Sequence, residues 1–116
     1  MPHAIIEYSK ALEDQLLESA FMEDVHADLL SSGEFGEKDI KVRLRPVEHA
    51  LVAGTLGNFV HITLYLLSGR SKEVKSQITG DLLNRLDLLD LPVQSLSVDA
   101  RDIDRAVYSK VAYPKT

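Results

Sequence analysis

The sequence predicts an α/β (α+β) domain in which two β-α-β units form a four-stranded mixed sheet with both helices on one face. Two segments carry apolar residues at helical spacing, and each lies between two short apolar or alternating segments typical of strands. The two units cover about 3–46 and 58–100, and they share this layout but not their residues. With a tail over 101–116, the 116 residues are long enough for one domain, 1–116.

In the first unit, the apolar segment His3–Tyr8 predicts a strand, and Ser9 is a plausible N-cap for the helix that follows. The helix is predicted from Lys10 to about Leu30, and Gly33 suits the left-handed position after its end. The segment Ile40–Arg45 alternates strictly between apolar and basic residues, which indicates a second strand. The predicted helical stripe consists of Leu12, Leu16, Leu17, Ala20, Phe21, Val25 and Leu29.

In the second unit, residues 47–58 contain two glycines and predict the end of the strand with a turn or hairpin loop. The nearly continuous apolar segment 58–67 indicates a strand buried on both faces. Ser71 is the expected N-cap of the second helix, and Val93–Val98 begins the fourth strand. The polar, mixed stretch from Asp99 to Thr116 indicates a tail, with Val107, Tyr108, Val111 and Tyr113 as points where it docks.

The number of helices bears on assembly. Two helices cover one sheet face, and no third helix is available for the other face. In the segment 58–67, apolar residues occupy both odd and even positions, which point to opposite faces of a strand. This predicts that both faces of the sheet are buried. A second copy of the chain is the simplest cover, so self-association is expected.

Composition excludes several function classes. The formal net charge of −5 disfavours general binding to nucleic acid or to anionic membranes, which needs a concentrated positive field. No apolar run is long enough to cross a bilayer, and no secretory signal is recognisable. The absence of cysteine removes disulfides and thiolate chemistry and fits a cytoplasmic location. The four histidines show no metal-ligand spacing, so no metal is expected.

Four residues are candidates for chemistry. Removal of Met1 would give Pro2 a secondary amine whose reference pKa near ~8 suits general-base work once its surroundings lower it. Lys41 and Arg43, with Arg45, form a cationic row on one strand face that can hold a carboxylate. Arg70 precedes a helix start, where an anion is favoured. The alternatives are a proline tolerated at a chain start, a solvated strand face and an ordinary loop arginine.

Five short motifs, taken together, resemble the 5-carboxymethyl-2-hydroxymuconate isomerase family of the tautomerase superfamily. The resemblance extends from residue 1 to about residue 110. The motifs are Met1-Pro2-His3, Gly33-x-Phe35, Ile40-x-x-Arg43, Phe59-Val60-His61-x-Thr63-Leu64 and Gly69-Arg70-Ser71.

The resemblance implies a tautomerase-like fold, assembled as a homotrimer whose sheets pack around a central axis. It implies a keto-enol isomerisation of a 2-hydroxymuconate-like unsaturated carboxylic acid, without cofactor or metal. Pro2 matches the proline that moves the proton, and Arg70 and Arg43 match arginines that bind the small-molecule carboxylate substrate. Lys41 stands where the family has an arginine, which keeps the charge but loses the planar fork.

Two other functions stay open on the sequence alone. A non-catalytic trimer of the same fold, acting as a small-molecule binding or interaction module, fits a retained Met1 and the lysine at position 41. A ligand-sensing β-α-β domain unrelated to tautomerases is the third interpretation.

Overall fold

A computed structural model describes residues 1–114; Lys115 and Thr116, the end of the predicted tail, lie outside the described residues. Strand β1 (His3–Ser9) leads through a short 3₁₀ turn into helices α1 (Glu13–Glu18) and α2 (Phe21–Ser31). A second strand and a small hairpin follow, and a long strand then leads through the third helix into the last strand. The remaining bounds are β2 (Lys41–Val47), β3 (Leu51–Val52), β4 (Thr55–Leu56), β5 (Phe59–Leu67), α3 (Lys72–Asp87) and β6 (Ser95–Ile103).

The main sheet has the strand order β2-β1-β5-β6. Strand β1 pairs with β2 in parallel and with β5 antiparallel, and β5 pairs with β6 in parallel. Each parallel pair is therefore joined by a helical crossover, as a β-α-β unit requires. The predicted four-stranded mixed sheet is confirmed.

The hydrophobic core lies between the sheet and the helices, with α2 against β2 and α3 against β6. Alternate residues of the two central strands point into it, because side chains in a strand alternate between faces. Helices α1, α2 and α3 lie on one face of the sheet, as expected for the two predicted helical segments. The fully buried strand residues are Ala4, Ile6, Val60, Ile62, Leu64 and Leu66, and they meet Leu16, Phe21, Val25, Leu29, Leu82 and Leu86 of the helices.

The first helix is not continuous. Ala20 adopts a left-handed φ of 57°, and Ser19 Oγ donates to the Leu16 carbonyl at 3.0 Å, so α1 ends before α2 begins. The break shifts the helical register by one residue, which buries Phe21 and leaves Ala20 exposed. The prediction that Leu17 belongs to the buried stripe is wrong, because its exposed fraction is 54%.

The two predicted caps differ in outcome. Ser71 is confirmed as the N-cap of α3, since its Oγ accepts the Val74 amide at 3.1 Å. Ser9 does not cap a helix; its Oγ accepts the Phe59 amide at 3.0 Å and so ties the end of β1 to β5. Gly33, with φ of 77°, follows α2 in the left-handed conformation that glycine favours.

The fourth strand extends further than predicted. Asp99 and Arg101 belong to β6, where they lie opposite Thr63 and Tyr65 of β5. Their charges suggested the start of the tail, but alternate residues Val98 and Ala100 pack against the core, so the period of two continues. The tail begins only after Ile103.

The sheet face away from the helices (the open face) is mixed rather than apolar. One row across it reads Arg43, Ile5, Thr63 and Asp99, and the neighbouring row reads Arg45, Glu7, His61 and Ser97. The expectation of a second apolar face is therefore wrong, because the apolar residues Val60, Ile62 and Leu64 all point to the helices. Any chain that covers the open face must supply partners for the charged side chains of that face.

Within residues 1–114, no helix is long and apolar enough to cross a membrane.

Shortening the core side chain of Ile6 tests this packing. Ile6→Ala should lower the free energy of unfolding by about 2–5 kcal/mol, because Ile6 is fully buried in a strand that is paired on both sides. Urea denaturation measures the change. Leu56→Ala, at an exposed hairpin position, is the matched control and should change stability little. Equal losses in the two variants would contradict the assigned core.

Candidate active site

The amino terminus lies at one end of the sheet and is largely covered. Met1 is 8% exposed and Pro2 is buried. The Lys41 amide donates to the Pro2 carbonyl at 3.0 Å, so the pairing of β1 with β2 continues through Pro2. The first residues are thereby held beside the start of β2.

Two lysines and one aspartate surround this terminus. Lys41 Nζ donates to the Asp39 carbonyl at 2.8 Å. Lys110, from the tail after β6, forms an ion pair with Asp39, with 2.5 Å between Nζ and Oδ1. The hydrogen bond from Lys110 lowers the pKa of the Asp39 carboxyl, so Asp39 is ionised at neutral pH.

These surroundings favour the neutral form of the terminal amine. Burial lowers the pKa of the Met1 amine most, and the positive charges of Lys41 and Lys110 lower it further. Arg70 acts in the same direction, whereas Asp39 opposes them. Burial and the charge of Lys110 also lower the pKa of the Lys41 ammonium. An amine whose pKa is lowered is more often in the neutral form, which is the form that can accept a proton from a substrate.

A second group of contacts adjoins the terminus on the open face. Arg43 Nη1 lies 3.0 Å from His3 Nδ1, and the Tyr108 hydroxyl lies 3.2 Å from His3 Nε2. Because a guanidinium only donates, His3 Nδ1 accepts and Nε2–H donates to Tyr108. Burial, followed by the charge of Arg43, lowers the pKa of His3, which fits this neutral tautomer.

A cavity of about 310 Å³ opens at this group. Its polar walls are Arg43, His3 and Tyr108, and its apolar walls include Ile5 and Ile103. Small-molecule sites are mostly apolar cavities with a few oriented polar groups, and this volume lies at the small end of their range. The cavity suits a small ligand that carries a negative charge.

Arg70 is held by protein groups. Its Nε donates to Glu34 Oε1 at 3.0 Å, Nη2 donates to the Glu34 carbonyl at 2.8 Å and Nη1 donates to the Leu67 carbonyl at 3.2 Å. The guanidinium also lies over the Phe35 ring, with 4.6 Å to the centroid. Arg70 therefore fastens the loop after α2 to the end of β5, and a ligand carboxylate would have to compete with Glu34.

The histidine in the most apolar strand lies away from the terminus. His61 Nδ1 contacts Ser97 Oγ at 2.6 Å, and Nε2 contacts Asp99 Oδ1 at 2.9 Å. Burial raises the pKa of Asp99, but the hydrogen bonds from Arg101 and His61 outweigh it and lower the pKa overall. His61 is a hydrogen-bonded histidine of the open face and not a core residue.

The four candidate residues thus fall into three settings. Pro2 and Lys41 are neighbours at the terminus, and Arg43 lines the adjoining cavity. Arg70 lies close enough to affect the terminal amine but is paired with Glu34. Sequence reasoning did not single out Lys110 and Asp39, whose contact spans 71 residues of sequence.

Across residues 1–114, no group of three or more histidine, aspartate or glutamate side chains is arranged to hold a metal ion.

The sequence matches the model of a protein family described as 5-carboxymethyl-2-hydroxymuconate isomerase over residues 2–110. No curated protein matches it.

Solved structures share the fold at low identity. A 5-carboxymethyl-2-hydroxymuconate isomerase from Deinococcus radiodurans R1 is 24% identical, with a TM-score of 0.76 over 95% of this chain and 88% of its own. A fused 4-OT, described as a wild-type symmetric trimer, is 22% identical, with a TM-score of 0.75 over 88% of this chain and 87% of its own. A protein inactivated by 2-oxo-3-pentynoate is 16% identical, with a TM-score of 0.81 over 93% of this chain and 90% of its own.

The pH dependence of acetylation at the terminal amine tests the electrostatics of the site. Only the neutral amine reacts, so the rate should rise with pH, with a midpoint below the ~8 of an ordinary α-amine. Mass spectrometry of the amino-terminal peptide isolates this amine from the lysines. Lys41→Gln should move the midpoint upward, because a neighbouring positive charge is lost.

Lys10→Gln is the control, since Lys10 pairs with Glu13 at the other end of β1 and should not affect the midpoint. A midpoint near ~8 in the folded wild type, equal to that in concentrated urea, would contradict the assigned environment.

Proposed function

Because the chain belongs to the 5-carboxymethyl-2-hydroxymuconate isomerase family, we propose that it is a cofactor-independent keto-enol isomerase acting on a 2-hydroxymuconate-like unsaturated carboxylic acid. The observation that carries the proposal is the buried amino terminus beside Lys41 and Lys110, where burial and positive charge lower the pKa of the Met1 amine and would act in the same direction on a Pro2 amine. The family match and the tautomerase fold support an isomerase. The substrate and the residue roles below are our proposal.

The proposed base is the secondary amine that Pro2 carries once Met1 is removed. In the neutral form it accepts the hydroxyl proton of the dienol, and the carbonyl forms as electrons move along the conjugated chain. The resulting ammonium then delivers that proton to the distal carbon, which restores the neutral amine. The reaction is a net proton shift, so it needs neither an oxidant nor a cofactor.

The proposed carboxylate ligands are Lys41, Arg43 and Arg70. Lys41 is nearest in register to the terminus, and Arg43 lines the cavity that adjoins it. Arg70 joins them when its guanidinium exchanges Glu34 for a substrate carboxylate. Positive charge at these positions stabilises the negative charge that develops on the dienolate.

We further propose a homotrimer in which the open faces of three sheets meet. The open face carries both cations, such as Arg45, and anions, such as Glu7 and Asp99, so copies of the same face can pair their charges. The similar fused 4-OT is described as a symmetric trimer, which supports this arrangement.

A second candidate is a non-catalytic binding module of the same fold. The hydrogen bonds between Arg70 and Glu34 favour it, because they occupy a cation that the isomerase needs for substrate. The two functions differ in turnover, since only the isomerase converts the dienol.

Protein with a mass-confirmed Pro2 terminus should ketonise 2-hydroxymuconate, seen as loss of dienol absorbance. Arg70→Ala should lower kcat/KM. The corresponding activation free energy should rise by about 1.5–3 kcal/mol, the scale of a hydrogen bond to a charged group. Arg85→Ala is the control, because Arg85 pairs with Asp28 between α3 and α2, on the helix side of the sheet and away from the terminus. Binding without turnover would favour the non-catalytic module instead.

Light scattering at micromolar concentration should give three chain masses. Glu7→Lys should weaken the assembly, because it removes the anion opposite Arg45 and puts a second cation beside it. Glu48→Lys, at an exposed position after β2, makes the same charge change and should leave the mass unaltered. A monomeric wild type would contradict the proposed trimer.

A further inference from the structure

Lys110 reaches the site because the tail is anchored at several residues just before it. Asp104 Oδ1 accepts the Ala106 amide at 2.9 Å and starts a 3₁₀ turn (Arg105–Val107), and Arg105 Nε donates to the Ser68 carbonyl at 2.8 Å. Tyr108 then contacts His3 at the start of β1. Lys110 follows two residues later and meets Asp39. The tail therefore places a cation from the far end of the sequence beside the terminus.

The charges at this point are not balanced. Lys41 Nζ contacts the carbonyl of Asp39 and Lys110 Nζ contacts its carboxylate, and both ammonium groups also act on the terminal amine. Arg70 adds a cation, but Glu34 neutralises it. A second carboxylate would balance the remaining positive charge. Each lysine ammonium has three donors, so it can bind that carboxylate while it keeps its contact with Asp39.

We propose that Lys110 is a specificity-determining residue that, together with Lys41, binds one carboxylate of a dicarboxylate substrate. Asp39 holds Lys110 in position in the free protein, and the substrate carboxylate shares or takes over that ammonium. Lys110 thereby contributes charge where Lys41 lacks the bidentate fork of an arginine. This inference rests on the proposed function, because it assigns a residue of the same site.

Another interpretation is that the pair of Lys110 and Asp39 only clamps the tail. Two variants separate the interpretations, because each breaks the pair from one side. A clamp predicts that Lys110→Gln and Asp39→Asn act alike. A carboxylate subsite predicts opposite effects, since Lys110→Gln removes the ligand cation whereas Asp39→Asn releases it.

The experiment measures binding of adipate and hexanoate, unreactive six-carbon acids with two carboxylates and one carboxylate, by calorimetry on the full chain. Wild-type protein should prefer adipate. Lys110→Gln should weaken adipate binding about tenfold and change hexanoate binding less than twofold, on the scale of a charge-assisted hydrogen bond. Lys110→Arg should bind adipate about as well as the wild type, and Asp39→Asn should bind it more tightly than the wild type.

Lys75→Gln is the matched control. Lys75 has similar exposure and pairs with Asp102, but it is not among the charges that shift the terminal amine. It should leave both affinities unchanged.

The acetylation midpoint of the terminal amine gives a second readout that does not depend on turnover. The charges that face this amine are Lys41, Lys110 and Arg70, with Asp39 opposing them. Lys110→Gln should raise the midpoint and Asp39→Asn should lower it.

Equal effects of Lys110→Gln and Asp39→Asn on adipate binding, or no adipate preference in the wild type, would overturn the inference. Adipate preference that depends on Lys110 supports it even if no dienol is ketonised, in which case the proposed isomerase fails alone. Ketonisation without that dependence leaves the isomerase standing and removes Lys110 from the site.

Discussion

Strand β1 is hydrogen-bonded on both sides, to β2 in parallel and to β5 antiparallel, and this double pairing determines where the amino terminus lies. The parallel pairing sets His3 opposite Lys41 and extends to a hydrogen bond between the Pro2 carbonyl and the Lys41 amide. A terminus that ended an edge strand would fray into water. Here the first two residues are covered, and the amine is held among cations.

Burial and charge act on this terminus in the same direction. Both disfavour an ammonium, so a larger fraction of the amine is neutral, and able to accept a proton, than at an ordinary chain terminus at the same pH. The same neighbours attract an acid, even though the chain as a whole has a net charge of −5. Local arrangement of charge therefore matters more than the total.

Sequence patterns predicted what depends on local spacing. Period-two alternation located β2, and the Ser71 hydroxyl before an amphipathic segment located the start of α3. The break between Glu18 and Phe21 was not predictable from a stripe of apolar residues, because it depends on which face packs against the sheet. Ser9 likewise serves a strand partner 50 residues away instead of the helix beside it.

The site was only partly predictable for the same reason. Motifs and spacing along the sequence single out Pro2, Lys41, Arg43 and Arg70. The partners that modify them come from distant segments: Glu34 holds Arg70, and Lys110 returns in the tail to Asp39. Their pairing follows from the fold and has no local signal.

The central claim is that a free amine at Pro2 transfers the proton, and comparison of two forms of the same protein tests it most directly. One preparation retains Met1 and the other begins at Pro2, both verified by intact mass, and each is assayed with 2-hydroxymuconate at the same concentration. In the form with Met1 the Pro2 nitrogen is an amide without basicity, so the account predicts turnover only in the form that begins at Pro2. Equal turnover by the two forms would contradict it.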